Sequence, residues 1–274
     1  MHILLVAWLA AGEVDPFPVY KLELGRDAAI LAAGTAMWVG YFFTDREAKL
    51  DPCGMHLPGG PCDPANVNAL DSIALHNNSD AANTWSDVTR TLAMAWPAAI
   101  DGYLLTKPFS DKQVGLLADG LVYGEVILVS TAIDTLIKNT VLRLRPYVYS
   151  SPVYPEGTLR DRNDFWSFPS GHATTAFAGA TFACVTLVRR DHPDSNGLLL
   201  GCGPGYLLAV ATAILRFEAG QHFPTDVIAG AAIGTGAAIG IPLLHRSPRN
   251  DAISAMPLLL PVDGGLVLSI SGLL

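Results

Sequence analysis

The sequence predicts an all-α fold, a bundle of six helices that spans a membrane. Half of the 274 residues are hydrophobic and only 15% are charged, whereas an average soluble domain carries about 25% charged residues. The apolar residues gather into six stretches with few charges, most of them near the length that a helix needs to cross a bilayer, about 17–25 residues. These stretches are 28–44, 91–106, 114–137, 165–188, 195–215 and 227–244.

The composition also excludes several classes of protein. A hydrophobic fraction of 50% is too high for a disordered chain. The net charge of −8 leaves no basic stripe for a phosphate backbone, so we expect no nucleic-acid partner. Four cysteines are too few for a disulfide scaffold. Composition does not fix an oligomeric state.

An N-terminal segment, 1–27, precedes the helices. Residues 1–12 are apolar and end in small residues, as a signal peptide does, although no Lys or Arg precedes the apolar run. Residues 19–24 alternate between polar and apolar, which fits an interfacial strand. The segment is therefore expected to be a signal or a strand.

The first stretch, 28–44, is long enough to span a membrane, and a polar loop follows it. This loop, 45–90, is inserted between the first two helices and contains Cys53 and Cys62, flanked by Gly and Pro. The two cysteines either form a disulfide in an oxidising compartment or remain free thiols.

The second and third stretches carry carboxylates. Asp101 lies in the second, beside a helix-interrupting Pro97, and Asp119 and Glu125 lie in the third. Carboxylates inside a bilayer are costly, so they favour the alternative, a soluble bundle of six buried helices. Because Asp119 and Glu125 are six residues apart, they do not share a helix face. We interpret each as a packing group or the lining of a water cavity rather than as an acid–base pair.

The remaining stretches are rich in Gly and Ala, which suits close helix packing in a membrane. The fourth, 165–188, is long enough only if its entry, 165–172, lies at the membrane surface. Cys184 and Cys202 lie in apolar stretches, and we interpret them as buried small hydrophobes.

The tail, 246–274, is expected to form a small β-hairpin. Residues 257–261 are apolar, Asp-Gly-Gly at 263–265 is a turn signal, and 266–270 alternate imperfectly. The helical catalytic domain is therefore placed at 28–245, ahead of this tail.

Three clusters of polar residues lie at the ends of the apolar stretches. If the stretches are antiparallel neighbours, the end of the third, the start of the fourth, the end of the fifth and the start of the sixth lie on one side. The clusters are then predicted to converge on one face. They comprise Lys138, Arg143, Arg145 and Pro146; Phe168, Pro169, Ser170, Gly171 and His172; and Arg216, Glu218, His222, Pro224 and Asp226.

The clusters have the chemistry of a phosphate site. Lys138, Arg145 and Arg216 bring three cations together, which requires an anion. Arg offers a planar fork that fits phosphate oxygens, and Lys a point charge. Ser170 and Gly171 lie at a predicted helix start, where free N–H groups and the helix dipole favour an anion.

Two histidines complete a candidate catalytic set. Pro224 suits a first helical position, which places His222 just before the helix and Asp226 in its first turn. An Asp bonded to one ring nitrogen fixes the tautomer and frees the other nitrogen, as in an activated nucleophile. His172 then serves as general acid. A phosphohistidine intermediate follows, and no metal is needed, because the cations and the helix N-terminus stabilise the transferred group.

The three clusters resemble the signature of the type 2 phosphatidic acid phosphatase superfamily, shared with bacterial acid phosphatases and vanadium haloperoxidases. That pattern is Lys, six residues, Arg-Pro; then Pro-Ser-Gly-His; then Ser-Arg, five residues, His, three residues, Asp. Leu215 departs from it, standing where the pattern has Ser. The resemblance covers 114–244, and the matching residues are Lys138, Arg145, Pro146, Pro169, Ser170, Gly171, His172, Arg216, His222 and Asp226.

The resemblance implies a membrane-associated phosphatase of the bacterial type that needs no metal and no cofactor. It assigns His222 as nucleophile, Asp226 as its orienter and His172 as acid. The residues that it assigns to phosphate binding are Lys138, Arg145, Ser170, Gly171 and Arg216.

Some residues near the clusters have simpler interpretations. Arg143 lies outside the pattern, and we interpret it as solvated or facing headgroups. Glu218 and Gln221 are interpreted as surface residues, with substrate contact as the alternative. Lys138, taken alone, would pair with Asp134 one helical turn earlier.

The membrane setting makes a lipid phosphate monoester or diphosphate the expected substrate. The resemblance implies phosphatidic acid, phosphatidylglycerol phosphate, polyprenyl diphosphates or lipid A phosphates, and a site that faces the periplasm from the bacterial inner membrane. Eight Lys and Arg lie away from the clusters, against six on their side once three phosphate binders are set aside, which favours the same orientation.

Three alternatives remain. A soluble periplasmic acid phosphatase of broad specificity would use the same site. A vanadium haloperoxidase would hold vanadate there, although such chains are usually much longer and space the first motif more widely. A phosphate or lipid binder without catalysis is the third, against which the complete set of His172, His222 and Asp226 argues.

Overall fold

The predicted bundle of six long helices is confirmed in the computed structural model, which describes residues 20–43, 63–106, 112–150, 162–191, 194–245, 255–262 and 265–272. A one-turn helix lies between the third and fourth long helices. In chain order the helices are α1 (Leu24–Phe43), α2 (Asp80–Leu104), α3 (Lys112–Val141), α4 (Pro146–Ser150), α5 (Gly171–Asp191), α6 (Ser195–Glu218) and α7 (Pro224–Leu244).

The C-terminal hairpin is present. Its strands are β1 (Ala255–Val262) and β2 (Gly265–Gly272), which pair antiparallel with Val262 opposite Gly265. The two strands are therefore consecutive in the chain on either side of the expected turn signal, of which residues 263–264 lie outside the described residues.

Helix α5 lies at the centre of the bundle and contacts α2, α3, α6 and α7, while α1 packs against α3. Glycines on α7 allow its backbone to approach that of α5. A Cβ at Gly234 would lie 2.0 Å from the carbonyl oxygen of Thr174, and one at Gly230 would lie 2.4 Å from that of Ser170. This contact fixes the start of α5 beside the start of α7.

Large apolar side chains cover the outside of the bundle. Leu199, Leu200 and Leu207 on α6 are 69–73% exposed, as expected of helices that face lipid. Four helical segments among the described residues are long and apolar enough to cross a membrane, rather than the six expected. Those four are Gly115–Tyr149, Gly171–Arg190, Ser195–Glu218 and Pro224–Leu244.

Helix α2 does not meet that criterion, because the charged residues Asp87, Arg90 and Asp101 lower its hydropathy. It also begins eleven residues before the predicted stretch, at Asp80 rather than 91. Ser79 caps it by accepting the N–H of Ala82. The polar loop is accordingly shorter than the expected 45–90.

Over residues 20–24, the described part of the strand expected at 19–24, no strand forms. Tyr20 makes a single bridge, Lys21 donates its N–H to the carbonyl of His245 at 2.8 Å, and α1 begins at Leu24. The helix starts there because Asp27 in its first turn accepts the N–H of Glu23. The signal expected at 1–12 and the pair Cys53 and Cys62 lie outside the described residues.

Cys184 and Cys202 form a disulfide between α5 and α6, with their Cα atoms 4.9 Å apart. The prediction of two separate buried thiols was wrong. The two cysteines belong to a core that also contains Ile100 and Leu187. The sequence of either helix does not indicate which neighbouring helix its cysteine faces, so the pairing could not be predicted.

Two carboxylates of the bundle, on α2 and α3, share the guanidinium of Arg190. Arg190 donates to the carboxylate of Asp119, and Asp101 lies 3.9 Å from the same guanidinium. Asp119 is thus a packing group of the interior, as interpreted from its spacing to Glu125, and Asp101 shares its cation.

Candidate active site

The ends of α3, α5 and α7 bring the predicted clusters together. The N–H of Ser170 donates to the carbonyl of Asp226 at 3.0 Å, which joins the starts of α5 and α7. A Cβ at Gly171 would lie 2.9 Å from Nζ of Lys138, at the end of α3. The predicted convergence on one face is therefore observed.

Two of the predicted phosphate-binding cations meet at one amide. The side-chain oxygen of Gln221 accepts from Arg145 and, at 3.4 Å, from Arg216. Arg145 Nε also donates to the carbonyl of Asn163 at 2.7 Å. Gln221, interpreted as a surface residue, instead holds two like charges side by side.

A glycine turn places Gln221 and His222 over the site. Gly220, which follows α6, has φ 67°, a conformation that glycine adopts without strain. A Cβ there would lie 2.1 Å from the carbonyl oxygen of Asn77. The Gly in this position lets the chain reverse between α6 and α7.

His222 is buried with one ring nitrogen engaged. It is 2% exposed, and its Nδ1 donates to the carbonyl of Ser167 at 2.7 Å. Burial, and then the cations of Arg145, Arg216 and Lys138, lower the pKa of His222 well below 6.5. The ring is therefore neutral, with the lone pair on Nε2.

The predicted hydrogen bond between Asp226 and His222 is not formed. Oδ2 of Asp226 lies 3.9 Å from Nδ1 of His222, which is too far. The carboxylate instead accepts from Oγ of Ser167 at 2.5 Å and from the N–H of Phe223 at 2.8 Å. Asp226 thus acts on His222 through Ser167, whose carbonyl oxygen accepts the hydrogen bond from Nδ1 of the ring.

Arg143 belongs to the site, so its interpretation as a solvated or headgroup-facing residue was wrong. It donates to Asp226 at 2.6 Å and to Asp71 at 2.7 Å. Its guanidinium also lies 4.1 Å from the ring centroid of Phe223. Two buried carboxylates hold this arginine inside, and one of them comes from a distant loop.

Asp71 completes this network. Besides Arg143, it accepts the N–H and hydroxyl of Thr225 at 3.1 and 2.8 Å and the amide of Asn68 at 2.7 Å. Burial opposes its ionisation, but these hydrogen bonds lower the pKa of Asp71. Asp71 is therefore a fixed anion opposite Arg143.

His172 contacts residues of α2. Its Nε2 lies 2.7 Å from Oδ1 of Asp87 and 3.4 Å from Nη1 of Arg90. The hydrogen bond to His172 lowers the pKa of Asp87. Asp87 is therefore an anion that faces the predicted general acid.

One face of α2 forms a wall of the site, and sequence reasoning missed it. Arg216, which is 5% exposed, donates to Asn83 at 2.6 Å and to Ser86 at 3.4 Å. With Asp87 and Arg90 these residues stand at i, i+3, i+4 and i+7, the spacing of one helix face. That polar spacing was the signal available in the sequence.

The start of α5 leaves backbone donors for an anion. The N–H of Ser170 is taken by Asp226, but within the described residues the N–H groups of Gly171 and His172 find no backbone acceptor. Lys138 lies over this turn and also pairs with Asp134 at 2.5 Å. The simple pairing considered for Lys138 is thus present, at the edge of the site.

The chain is similar to known proteins over most of the helices that form this site. The family model of the PAP2 superfamily matches residues 119–249. Over 136 residues the chain is 30% identical to the lipid A 1-phosphatase of Rhizobium johnstonii, covering 48% of this chain and 51% of that protein. It is 31% identical to the undecaprenyl-diphosphatase of Sulfolobus acidocaldarius over 39% of this chain and 46% of that protein. The chain spans about half the length of the curated relatives it matches.

A solved structure is also similar. It is the crystal structure of a transmembrane PAP2-type phosphatidylglycerolphosphate phosphatase from Bacillus subtilis, with a TM-score of 0.46 and 18% identity. The similarity covers 77% of this chain and 94% of that one.

Proposed function

We propose that the protein hydrolyses a phosphate monoester or diphosphate carried by a lipid, on the premise that residues 119–249, which match the family model of the PAP2 superfamily, act as that family's domain. The observation that supports this proposal most directly is the state of His222. Its buried ring donates from Nδ1 to the carbonyl of Ser167, and burial and three cations lower its pKa. A neutral imidazole facing an anion site is a nucleophile for phosphorus.

In the first step Nε2 of His222 attacks the phosphorus. An N–P bond forms, the bond from phosphorus to the leaving oxygen breaks, and that oxygen takes a proton from His172. Nδ1 keeps its proton, and its hydrogen bond to the carbonyl of Ser167 stabilises the positive charge that develops on the ring.

The phosphoryl oxygens bind the cation cluster. Arg145 and Arg216 are already aligned by Gln221, so they need little reorganisation when the substrate binds. Lys138 and the N–H groups of Gly171 and His172 take the remaining oxygens.

In the second step water cleaves the phosphohistidine. His172, which is neutral after the first step, takes a proton from the water while the water oxygen forms its bond to phosphorus. The N–P bond breaks, phosphate leaves, and Nε2 of His222 recovers its lone pair.

A lipid is the proposed carrier because the outside of the bundle is apolar and four of its described helical segments are long and apolar enough to cross a membrane. On α2, Trp85, Val88 and Leu92 are 60%, 41% and 50% exposed at i, i+3 and i+7. They lie on the side of α2 opposite Asp87 and Arg90, so they face outward, away from the cations. A headgroup at the cations is therefore bound by a bundle whose outer side chains suit lipid tails.

We place the site on the periplasmic side of a bacterial inner membrane, because eight Lys and Arg lie away from the clusters against six on their side once the three phosphate binders are set aside. We also keep the catalytic domain at 28–245, longer than the matched 119–249, since α2 supplies Asn83 and Asp87 to the site.

The test measures phosphate release from lipid phosphates in detergent. The panel contains phosphatidic acid, phosphatidylglycerol phosphate, undecaprenyl diphosphate and lipid A, with glycerol 3-phosphate as the soluble comparison. His222→Asn is the matched variant, because an Asn amide can still donate to the Ser167 carbonyl but offers no nucleophilic nitrogen. We expect release from at least one lipid and a loss of about 10³-fold or more in the variant.

Trapping the intermediate separates the proposed chemistry from its alternatives. Wild-type protein quenched during turnover of a ³²P-labelled lipid should carry acid-labile label, and His222→Asn should carry none. Faster hydrolysis of glycerol 3-phosphate than of any lipid would support the soluble-substrate alternative. Turnover that survives in His222→Asn would overturn the assignment of the nucleophile.

A further inference from the structure

Three metal-ligating side chains converge at the other end of α7 from His222. His245, which caps α7, points its Nε2 at Oδ1 of Asp27 on α1, 3.2 Å away, and at Oε2 of Glu125 on α3, 3.1 Å away. One ligand atom from each residue lies within 4.8 Å of the other two.

Hydrogen bonds do not account for this contact. His245 is fully buried and Glu125 is 2% exposed, yet within the described residues Nε2 of His245 and Oε2 of Glu125 have no hydrogen-bond partner. Buried polar atoms of this kind are rare and call for a ligand or another explanation. Here two of them, from different helices, face one point.

Hydrogen bonds on the far side of His245 and Asp27 orient these two side chains so that one ligand atom of each faces the centre of the cluster. Nδ1 of His245 donates to the carbonyl of Ile241 at 2.9 Å, so a neutral ring carries its lone pair on Nε2. Oδ2 of Asp27 accepts the N–H of Glu23 at 2.8 Å, and Arg26 lies 3.0 Å from Oδ1. Both side chains are thereby oriented toward Glu125.

We propose that Asp27, Glu125 and His245 bind one divalent transition-metal ion of the zinc class. Two ligands about 2.0–2.1 Å from a tetrahedral zinc lie roughly 3.3 Å apart, close to the two distances observed here. An imidazole with two carboxylates suits zinc better than calcium or magnesium, which prefer oxygen ligands alone. Water would take the fourth position.

This metal has a structural role. It would join α1, α3 and the end of α7, and α1 otherwise packs against α3. The proposal does not depend on the proposed phosphatase activity, since the cluster shares no residue with the phosphate site. The rival explanation is an ion pair, with a protonated His245 balancing the carboxylates and Arg26 adding a second cation.

The test is zinc binding by the full chain in detergent. Protein stripped with EDTA and dialysed is titrated with ZnCl₂, and bound zinc is counted by mass spectrometry. We expect one zinc per chain, together with an unfolding midpoint about 5–10 °C higher at a hundredfold excess over Kd. Wild-type protein that binds no zinc, or shows no rise in the midpoint, would overturn the proposal in favour of the ion pair.

Two variants assign the ligands. Glu125→Gln and His245→Gln should each bind less than a tenth of the wild-type zinc. Asp119→Asn is the matched control, because it removes another buried carboxylate of α3 that pairs with Arg190 and not with His245. It should lower the unfolding midpoint yet keep one zinc per chain. Loss of zinc in this control as well, or full zinc in both Gln variants, would contradict the assigned site.

Discussion

Arg143 donates a hydrogen bond of 2.6 Å to Asp226, a residue 83 positions later in the chain. The same guanidinium donates to Asp71, so one cation lies between two carboxylates that are 0% exposed. Asp226 in turn holds Ser167, whose carbonyl accepts from His222. The orientation of the proposed nucleophile therefore depends on Arg143 through two intermediates.

Replacing Arg143 by Met should destabilise the fold more than removing an ordinary ion pair. The change leaves the carboxylates of Asp226 and Asp71 buried without their cation, which costs about 3–5 kcal/mol. Thermal unfolding in detergent measures the loss. Phosphate release should also fall, because Asp226 no longer holds Ser167 in place.

The double variant Arg143→Met with Asp71→Asn tests the cause. It removes one of the two orphaned charges, so it should recover part of the stability lost in Arg143→Met. Lys21→Met, at a residue with an exposed side chain, is the control and should change little. Strictly additive effects of the two changes would mean that Arg143 and Asp71 do not interact.

The pKa of His222 predicts how stability depends on pH. The folded value lies well below 6.5, whereas the unfolded chain titrates near 6.5. Between the two values the unfolded chain binds a proton that the folded chain does not. Stability from this group is therefore fully present above about pH 6.5 and falls as the pH decreases below it, by at most about 1.4 kcal/mol per pH unit.

His222→Asn removes this titration and keeps a donor for Ser167. Its unfolding midpoint should fall less than that of the wild type between pH 6.5 and pH 5, by about 2–4 °C per pH unit. Every other titrating group is common to both proteins, so the difference isolates His222. Parallel midpoint curves would show that His222 is not held neutral by the fold.

The sequence was sufficient for the helices and for the three clusters, because both depend on local patterns. Apolar runs predicted the six helices, and Pro224 at a first helical position placed His222 and Asp226 correctly around the start of α7. Helix starts capped by polar residues were harder, since Asp80 to Arg90 had been assigned to a loop by composition alone.

Local sequence patterns did not predict the contacts between segments that are distant in the chain. The pairing of Asp71 with Arg143 joins a loop to the end of α3, and the disulfide of Cys184 and Cys202 joins two helices. Because Asp226 lies four residues after His222, its carboxylate was predicted to form a hydrogen bond with that ring. In the structure the carboxylate accepts from Ser167 instead. Which of these bonds form depends on the residues that the tertiary fold brings together.

Asp87 should act as a positioning residue for His172. The carboxylate accepts from Nε2 at 2.7 Å, and its own pKa is lowered by that bond, so it stabilises the protonated ring that serves as acid. Asp87→Asn should therefore lower kcat by about 10-fold, with a smaller change in KM. Asp87→Glu should restore most of the rate.

Salt gives a second readout for this pair, because the side chain of Asp87 is 60% exposed. The rate difference between wild type and Asp87→Asn should shrink as ionic strength rises. A purely structural role would lower the unfolding midpoint and leave this salt dependence unchanged. An unaltered kcat in Asp87→Asn would contradict the positioning role.

Three glycine substitutions separate the site from the scaffold. At Gly171 a Cβ would meet Nζ of Lys138 at 2.9 Å, the end of a flexible side chain, so Gly171→Ala should fold but displace that ammonium. At Gly234 it would meet the carbonyl oxygen of Thr174 at 2.0 Å, a backbone atom. At Gly236 nothing lies within 4 Å.

The expected results differ in kind. Gly171→Ala should keep its unfolding midpoint and lose about 10- to 100-fold in kcat/KM. The loss is expected because the ammonium of Lys138 is displaced from the position in which it binds the phosphate. Gly234→Ala should be destabilised by about 1–3 kcal/mol, because α5 and α7 must separate. Gly236→Ala should be neutral or more stable by up to about 1 kcal/mol. If Gly171→Ala kept full activity, Lys138 would not be part of the phosphate site, and its pairing with Asp134 would be its whole role.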